Sequence, residues 1–468
     1  MADITMMNMY EVAELIRDRK VSPVELVDEC LKKTKARQDE LYAYTTLLED
    51  EARAQAKERE SEIAKNGPKT PLDGIPIAHK DLYYTKGILT TAGSQFLKDF
   101  YPDYDATVVK RLADAGTVLM GKTNTHEWAF GATSYSWFGQ SRNPWNPKKT
   151  PGGSSGGSAI AVATGMAYVG MGSDTGGSIR IPSSLCGVVG YKPTYGLTSQ
   201  HGVVSLSYTL DHIGPLCRSV KDCAIVTDYI TGYDPLDKCP AAYTGGPTNF
   251  ASQLSDDENF KGKVIGVPTG YFYDRLDYEV EKLLNKQIEM LKDAGAEIRY
   301  IDIPSMNDIF EVCTTLMLSD AAHYHKQRFE EHPELFDDLG REMLTNGNNY
   351  TAVQLVDAMR RRDEIRRDWE AACDTVDVMI SATTPIPAQD VGQNTVVTRG
   401  GEYPVGKTIG RFSRAGTTLG FPAVSVPMGF TPDHLPVGLM FMSKRGNDLA
   451  VLKAGWAHER MNKYEFPG

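Results

Sequence analysis

The sequence predicts an α/β fold with a largely parallel sheet, because short apolar runs alternate with helical patterns from about residue 70 onward. The helix-like stretch ATVVKRLADAG (residues 106–116) precedes the strand-like stretch TVLMGK (117–122). Farther along, DYEVEKLLNKQIEMLKDAGAEIRYIDIP (277–304) repeats the order of helix, glycine stop and strand. A chain of 468 residues, 41% of them hydrophobic, is long enough to bury a large core.

Residues 1–66 are predicted to form an N-terminal helical arm. In SPVELVDECLKKTKARQDEL, Ser22 occupies the N-cap position, Pro23 the first helical position and Glu25 the capping-box position. A second, charge-rich helix is predicted for EDEARAQAKERESEIAKN (49–66). The arm is expected to lead into the α/β body.

A second helical segment interrupts the alternation between residues 305 and 372, where the pattern is helical and polar. Strand-like runs then return in VDVMISATTPIPA (376–388) and FPAVSVPMGF (421–430). We interpret residues 305–372 as a helical excursion over the sheet.

Charge, cysteine content and the length of apolar runs indicate the partner, the compartment and the absence of a predicted membrane segment. The 50 basic and 61 acidic residues give a net charge of −11, with no long run of one sign, which disfavours a nucleic-acid partner and favours a small molecule or a protein. The seven cysteines include no CxxC pair, as expected for reduced thiols in a cytoplasmic protein. No apolar run is long enough for a membrane span, and the N-terminal residues do not resemble a signal peptide.

One motif is misleading. GTVLMGKT (116–123) satisfies the P-loop pattern letter by letter, but its four variable positions are apolar and β-prone. A phosphate-binding loop presents backbone N–H groups at these positions, whereas Thr-Val-Leu-Met favours a buried strand. We therefore predict a strand here and no nucleotide site.

A first glycine-serine cluster, TPGGSSGGSAIAV (150–162), also fits the G-x-S-x-G nucleophile elbow. The elbow needs an apolar strand before it, and the preceding RNPWNPKKTP contains three prolines that disfavour one. A flexible linker is disfavoured as well, because the cluster leads directly into small apolar residues typical of a buried helix.

The second cluster, GSDTGGSIRIP (172–182), suits an oxyanion-binding turn, since small residues let several backbone N–H groups point at one spot. Ser178 closes that turn as a candidate nucleophile, although such a hydroxyl also often bonds the local backbone. Lys80 follows the apolar run IPIA (75–78). Most lysines are solvated, but a buried lysine beside hydroxyl groups would have a lowered pKa and act as a base.

Together these segments resemble the amidase signature family of serine hydrolases. The resemblance is carried by GGSSGGSAIAVATGMAYVGMGSDTGGSIRIPSSLCGVVGYKPTYG, by GIPIAHKDLYYTKG and by RNPWNP. Weaker matches in SLSYTLDHIGPLCRSVKD and FPAVSVPMGF extend it over most of the chain. It implies one domain over residues 1–468, with a large mixed, mostly parallel sheet flanked on both faces by helices.

The resemblance also implies roles for individual residues. Ser178 matches the nucleophile, Ser154 the bridging serine held by a cis peptide, and Lys80 the base. The other implied residues fall into three groups, namely the oxyanion-hole N–H groups of Thr175, Gly176, Gly177 and Ser178, the supporting residues Ser155, Asp174 and Arg180, and the acyl-contacting residues Ala129, Phe130 and Gly131.

The implied activity is hydrolysis of a small amide through an acyl-enzyme, with no metal or organic cofactor, by a monomer or a homodimer. The main alternative is the glutamine-hydrolysing A subunit of the tRNA-dependent amidotransferase. That subunit calls for an acidic residue where Gly410 stands here, with basic Arg411 and Arg414 following. A carbamate hydrolase and a catalytically dead binding protein are further alternatives on the same fold.

Aromatic residues in HEWAFGATSYSWFGQ (126–140) bear on the substrate. If some of them line the acyl pocket, the substrate has an apolar or aromatic part, whereas core packing is the ordinary alternative. The residues in question are Trp128, Phe130, Tyr135, Trp137 and Phe138.

Overall fold

A mixed sheet of eleven strands forms the centre of the protein in the computed structural model, which describes residues 3–462 and 464–467. Two short hairpins, at residues 135–140 and 395–404, lie outside this sheet. The fifteen strands of the described residues are β1 Tyr44–Leu47, β2 Pro76–Lys80, β3 Val118–Thr123, β4 Tyr135–Ser136, β5 Gly139–Gln140, β6 Val169–Asp174, β7 Val189–Lys192, β8 His212–Cys217, β9 Val264–Pro268, β10 Glu297–Ile301, β11 Val378–Ala382, β12 Thr395–Thr398, β13 Gly401–Pro404, β14 Ala423–Phe430 and β15 Pro436–Met442.

Helices flank this sheet, so the predicted α/β class is confirmed. No helix among the described residues is long and apolar enough to cross a membrane. The fourteen α-helices in the same residues are α1 Met9–Arg17, α2 Pro23–Leu41, α3 Glu49–Asn66, α4 Thr107–Asp114, α5 Gly156–Ala163, α6 Arg180–Cys186, α7 Val220–Ile230, α8 Tyr278–Asp293, α9 Ile309–Glu331, α10 Asp338–Asn348, α11 Ala352–Cys373, α12 Val405–Thr408, α13 Arg411–Leu419 and α14 Asp448–Met461.

The strand order is β1-β3-β2-β6-β8-β7-β14-β15-β11-β9-β10. The expectation of a mixed sheet is confirmed, but the expectation that it is mostly parallel is wrong. Among the described strands, only β2 with β3, β2 with β6, β9 with β11 and β9 with β10 pair in parallel. The centre is antiparallel because β14 and β15 form a hairpin and because β8 runs against both of its neighbours.

The N-terminal segment contains the two predicted helices, α2 and α3, together with helix α1 and strand β1, which the sequence pattern did not predict. Helix α2 begins as predicted, with Ser22 as N-cap, Pro23 in the first turn and Glu25 completing the capping box. The strand β1 pairs with β3 at the edge of the sheet, so this segment also extends the sheet. Asp222 of α7 accepts hydrogen bonds from the first backbone N–H groups of α1, which fixes that helix to the body.

Three helices, α9, α10 and α11, occupy most of residues 305–372, and α10 and α11 each pack on α9. Helix α9 also packs against α13, which immediately precedes β14. The false P-loop GTVLMGKT contains β3, which is buried along its whole length, so the predicted strand is confirmed. All seven cysteines are buried and free, which fits the expectation of reduced thiols. The assignment of the whole chain to one domain stays a prediction.

Candidate active site

Two parallel neighbouring strands place the first polar groups of the site. Strand β2 ends at Lys80 and pairs in parallel with β6, with His79 opposite Met171. Because the carboxyl ends of parallel strands meet at the same edge of a sheet, Lys80 and Ser173 emerge side by side. Loops that follow these strand ends then complete the site.

Lys80 is fully buried and is bound to hydroxyl groups. Its Nζ donates to Ser154 Oγ at 2.6 Å and to Ser173 Oγ at 2.9 Å. Burial lowers the pKa of Lys80 from its ordinary value near 10.5 to about 7, while the negative charges of Asp211 and Asp174 act weakly in the opposite direction. A large fraction of this amine is therefore neutral at pH 7 and available to accept a proton.

Burial alone does not distinguish Lys80, because Lys122 and Lys192 are also fully buried. Lys122 donates to the carbonyl of Tyr83 and to threonine hydroxyls, and lies 3.8 Å from the Asp81 carboxylate. Lys192 donates to two backbone carbonyls, which cannot transfer a proton. Lys80 is the one of these three lysines whose contacts are with serine hydroxyls.

Ser154 lies in the first glycine-serine cluster, just before α5. The peptide bond between Gly153 and Ser154 is cis, as the resemblance implied for this serine. Its carbonyl accepts hydrogen bonds from the His126 N–H and the Ser134 hydroxyl. Ser155 Oγ donates to the Ser173 carbonyl at 3.3 Å, and Ser155 N–H donates to the Ser178 carbonyl at 3.2 Å. Ser155 thus joins the two glycine-serine clusters.

Ser178 precedes α6 and faces a cavity, with 8% of its surface exposed. No acceptor among the described residues takes the backbone N–H of Thr175, Gly176 or Ser178, so these three donors are available to a ligand. The fourth expected donor is not free, because Gly177 N–H donates to Asp174 Oδ1 at 2.8 Å. Gly177 has φ +127°, and a Cβ there would lie 2.0 Å from Ser413 Oγ.

A buried ion pair holds the loop between β6 and α6. Arg180 donates to both oxygens of Asp174, with distances of 2.9 Å and 2.8 Å. Burial by itself would raise the pKa of Asp174, but the Arg180 charge and its hydrogen bonds hold that pKa well below its ordinary value. Thr175 Oγ1 donates to Asp211 at 2.5 Å, which anchors the same loop on its other side.

The cavity in front of Ser178 has a volume of about 820 Å³. The helical excursion forms one wall through residues of α9 and α10, including Phe310 and Met343, and continues to Tyr350. The predicted acyl-contacting residues Ala129, Phe130 and Gly131 line the cavity as well. Phe130 also packs on His325 of α9, with ring centres 5.5 Å apart, which couples this segment to the excursion.

The aromatic residues of the stretch 126–140 have different locations. Phe130 lines the Ser178 cavity. Trp128 is 1% exposed and packs on His325 at 4.6 Å, so it belongs to the core. Tyr135 and Trp137 are about half exposed, and neither lines this cavity. Phe130 is therefore the ring that this stretch is seen to contribute to the cavity.

The two arginines that follow Gly410 point to different places. Arg411 pairs with Asp274 at 2.6 Å and stacks on Tyr271, away from the cavity. Gly410 and Arg414 both line the cavity beside Gly176. The place where the glutamine-hydrolysing alternative would carry an acid therefore faces Ser178 without a carboxylate.

Comparisons with known proteins agree with this geometry. A family model described as Amidase matches residues 25–452. The chain is 38% identical over 465 residues to an amidase from Pseudomonas putida, covering 98% of this chain and 97% of the relative. It is 35% identical over 484 residues to the A subunit of the Glutamyl-tRNA(Gln) amidotransferase from Thermoanaerobacter pseudethanolicus, with coverage of 98% and 97%. A solved amidase structure matches with a TM-score of 0.89 and 34% identity, covering 98% and 100% of the two chains.

The eleven-stranded fold and the comparisons define a member of a family of amide-hydrolysing enzymes. The match of the family model spans nearly the whole chain, well beyond the glycine-serine clusters. The chain belongs to the amidase signature family, and the resemblance inferred from its motifs is confirmed.

Two polar residues that were not predicted from the sequence contact the predicted site. Ser173 is the second hydroxyl partner of Lys80, and its place directly before Asp174 at the end of an apolar strand could have revealed it. Asp211 binds Thr175 from the loop before β8, more than thirty residues away. No local pattern around Asp211 signals that contact.

Proposed function

We propose that the protein hydrolyses the carbon–nitrogen bond of a small amide to a carboxylate and an amine or ammonia, through an acyl-enzyme on Ser178. Linear amides other than peptide bonds are the proposed substrate class. The protein is proposed to work without a metal or organic cofactor and without a second type of polypeptide, as a monomer or a homodimer.

The 2.6 Å contact between Lys80 Nζ and Ser154 Oγ, in a fully buried site, is the observation that carries the proposal. When Lys80 is neutral, the same contact lets the Ser154 hydroxyl donate to the lysine lone pair. Ser154 then accepts the proton of Ser178, while Ser178 Oγ attacks the amide carbon. The negative charge that develops on the carbonyl oxygen is met by the free N–H groups of Thr175, Gly176 and Ser178.

Collapse of this intermediate breaks the carbon–nitrogen bond. The charged Lys80 returns its proton through Ser154 to the leaving nitrogen, which departs as an amine or ammonia. Water then attacks the acyl carbon and gives a proton to Lys80 by the same route. Ser178 regains its proton as the carboxylic acid leaves, so the enzyme ends each cycle in its starting state.

An apolar part of the substrate is supported by the cavity lining. Phe130, Phe310 and Met343 contribute apolar surface to the cavity, whose volume of about 820 Å³ falls within the range of small-molecule sites. A carbamate ester would present the same carbonyl to Ser178, so carbamates belong to the substrates to be tested.

The glutamine-hydrolysing component of an amidotransferase is the second candidate, favoured by the 35% identity to the Thermoanaerobacter pseudethanolicus protein. Glutamine carries an α-ammonium group that a carboxylate would bind. The position expected to supply it is Gly410, and the neighbouring cavity side chain is basic Arg414. We therefore rank a free-standing amidase first.

The isolated protein tests this ranking directly. Initial rates would be measured on glutamine, an aliphatic amide, an anilide and a carbamate, with the wild type and Ser178→Ala. Ser158→Ala is the matched control, because Ser158 is a buried serine of α5 that donates to the Met171 carbonyl. We expect hydrolysis of simple amides by the wild type and the control, and none by Ser178→Ala. Activity confined to glutamine in the presence of added amidotransferase partners would reverse the ranking.

A further inference from the structure

A partly buried arginine lines the candidate active site and has no carboxylate partner. Arg414 lies in the first turn of α13, and its side chain faces the cavity that contains Ser178. Neither the mechanism nor the family resemblance uses this residue. An unneutralised guanidinium in a cavity is costly unless a ligand binds it, because part of its hydration is lost.

The contacts of Arg414 leave its charge uncompensated. Its Nη1 donates to Thr314 Oγ1 at 2.7 Å, and its guanidinium stacks on Phe310, 4.0 Å from the ring centre. No carboxylate among the described residues lies within ion-pair distance of it. The buried or nearly buried arginines nearby behave differently, because Arg411 pairs with Asp274 and Arg180 with Asp174.

The position of Arg414 relative to the oxyanion-binding turn is equally specific. Around an ideal Cβ built on Gly176, the Arg414 Cγ at 3.8 Å and Nε at 4.0 Å are the heavy atoms within 4 Å. Arg414 is thus the side chain that a Cβ at Gly176, in the oxyanion-binding turn, would contact. A ligand bound with its carbonyl at the turn would have the guanidinium within a few ångströms.

Other charged side chains of the cavity do not cancel this charge. Glu342 and Lys407 are both exposed and of opposite sign. His126 lies 3.7 Å from the Asp337 carboxylate. Arg414 is thus a partly buried positive charge beside Gly176, whereas the two carboxylates that contact the turn already have partners, Asp174 in Arg180 and Asp211 in Thr175.

We propose that Arg414 binds an anionic group of the substrate, so that the preferred substrates are amides carrying a carboxylate a few bonds from the scissile carbonyl. The planar guanidinium fork matches a carboxylate, while Thr314 and Phe310 hold it in orientation. This inference rests on the proposed amide hydrolysis at Ser178 and names its substrate class.

The test compares matched amides that differ in one group. Malonamate, succinamate and glutaramate would be compared with propionamide, butyramide and pentanamide, in which a methyl group replaces the carboxylate. The readout is the ratio of kcat/KM for each anionic amide to that for its neutral partner. The wild type is expected to favour at least one of the anionic amides by about 10- to 100-fold, the range for a hydrogen bond to a charged group.

Three variants test whether this preference for anionic amides depends on Arg414. Arg414→Met is expected to lower it about 10- to 100-fold, and Arg414→Lys to restore part of it, because lysine keeps the charge without the planar fork. Lys407→Met is the matched control, since it removes the same charge from an exposed position of the same cavity. It is expected to change the ratio less than about threefold. A wild-type ratio near one for all three chain lengths, or an unchanged ratio in Arg414→Met, would overturn the inference.

Binding measurements distinguish an error in this inference from an error in the proposed function. Succinate and butyrate would be titrated into the wild type and Arg414→Met by calorimetry. Arg414-dependent binding of succinate over butyrate supports the inference even if no amide is hydrolysed. Binding of succinate that is unchanged in Arg414→Met, or no binding of either acid, counts against Arg414 as an anion site even if neutral amides are good substrates.

Discussion

Lowering the pH is expected to stop amide hydrolysis by protonating Lys80. Only the neutral amine can accept the proton that passes from Ser178 through Ser154. A solvated lysine, with a pKa near 10.5, would be almost fully charged at pH 8. Burial lowers the pKa of Lys80 to about 7, so most of this amine is neutral at pH 8 and charged at pH 5.

The size of the effect follows from the fraction of neutral lysine. For a pKa of about 7, this fraction is roughly 0.9 at pH 8, one half at pH 7 and about 0.01 at pH 5. The value of kcat/KM is therefore expected to fall about tenfold for each pH unit well below 7. Between pH 8 and pH 5 the total loss is about 90-fold.

The assay measures kcat/KM between pH 5 and pH 9 on butyramide, which does not titrate in this range. Two variants identify the group whose protonation causes the loss of kcat/KM at low pH, which is the acidic limb of the profile. Glu127 is buried and follows His126, which lines the cavity, and burial raises the pKa of Glu127 to about 7. Glu127→Gln therefore removes a group that titrates in the same range. Asp211→Asn removes a negative charge that raises the pKa of Lys80, and is expected to shift the limb to lower pH.

Three results would refute this reasoning. The first is a wild-type profile that stays flat down to pH 5. The second is loss of the limb in Glu127→Gln, which would assign the titration to that carboxyl group. The third is a shift of the limb to higher pH in Asp211→Asn.

Further predictions concern stability and the oxyanion-binding turn. Burial lowers the pKa of Lys80 to about 7 in the folded wild type, whereas a solvated lysine in the unfolded chain has a pKa near 10.5. Between these pH values the unfolded wild type therefore binds more protons than the folded one, so its free energy of unfolding rises with pH. The excess free energy of unfolding of Lys80→Met over the wild type is expected to be constant below pH 7 and to fall by about 5 kcal/mol between pH 7 and pH 10.5. Urea unfolding at each pH measures it, and a difference independent of pH would contradict it. Gly177→Ala is expected to lower the melting temperature by forcing a Cβ into Ser413 at φ +127°, whereas Gly176→Ala, whose Cβ makes only ordinary contacts, is expected to leave it within about 2 °C. Equal melting temperatures of the two would count against this contact. Asp174→Asn leaves Arg180 buried without its counter-charge and is expected to cost about 3–5 kcal/mol of unfolding free energy, and a loss below about 1 kcal/mol would show that the pair is dispensable.

The sequence was most informative where a function rests on local chemistry. Lys80 ends a short apolar strand, and Ser154 and Ser178 each precede a helix in a glycine-rich turn, so each could be chosen from its own neighbours. The two turns and the lysine lie close together because parallel strands β2 and β6 are neighbours. The alternation of strands and helices is also a local pattern, and it correctly predicted the α/β class.

Features that depend on distant contacts could not be predicted. The strand β8 contains a glycine and a proline, so its apolar pattern is weak, and its antiparallel pairing is set by β6 and β7. The hydrogen bond from Gly177 N–H to Asp174 Oδ1 spans only three residues, but it depends on the conformation of the turn, which the residue types alone do not determine. Arg411 and Arg414 look alike in sequence, and only packing against Tyr271 or Phe310 separates them.

Covalent labelling tests the central claim most directly. The protein would be treated with a fluorophosphonate at pH 8, digested and mapped by mass spectrometry, in parallel with Ser178→Ala and Lys80→Met. One adduct is expected, on the peptide that contains Ser178; it should be absent from Ser178→Ala and form much more slowly in Lys80→Met. An adduct on Ser154, or undiminished labelling of Ser178→Ala, would contradict the assignment of the nucleophile.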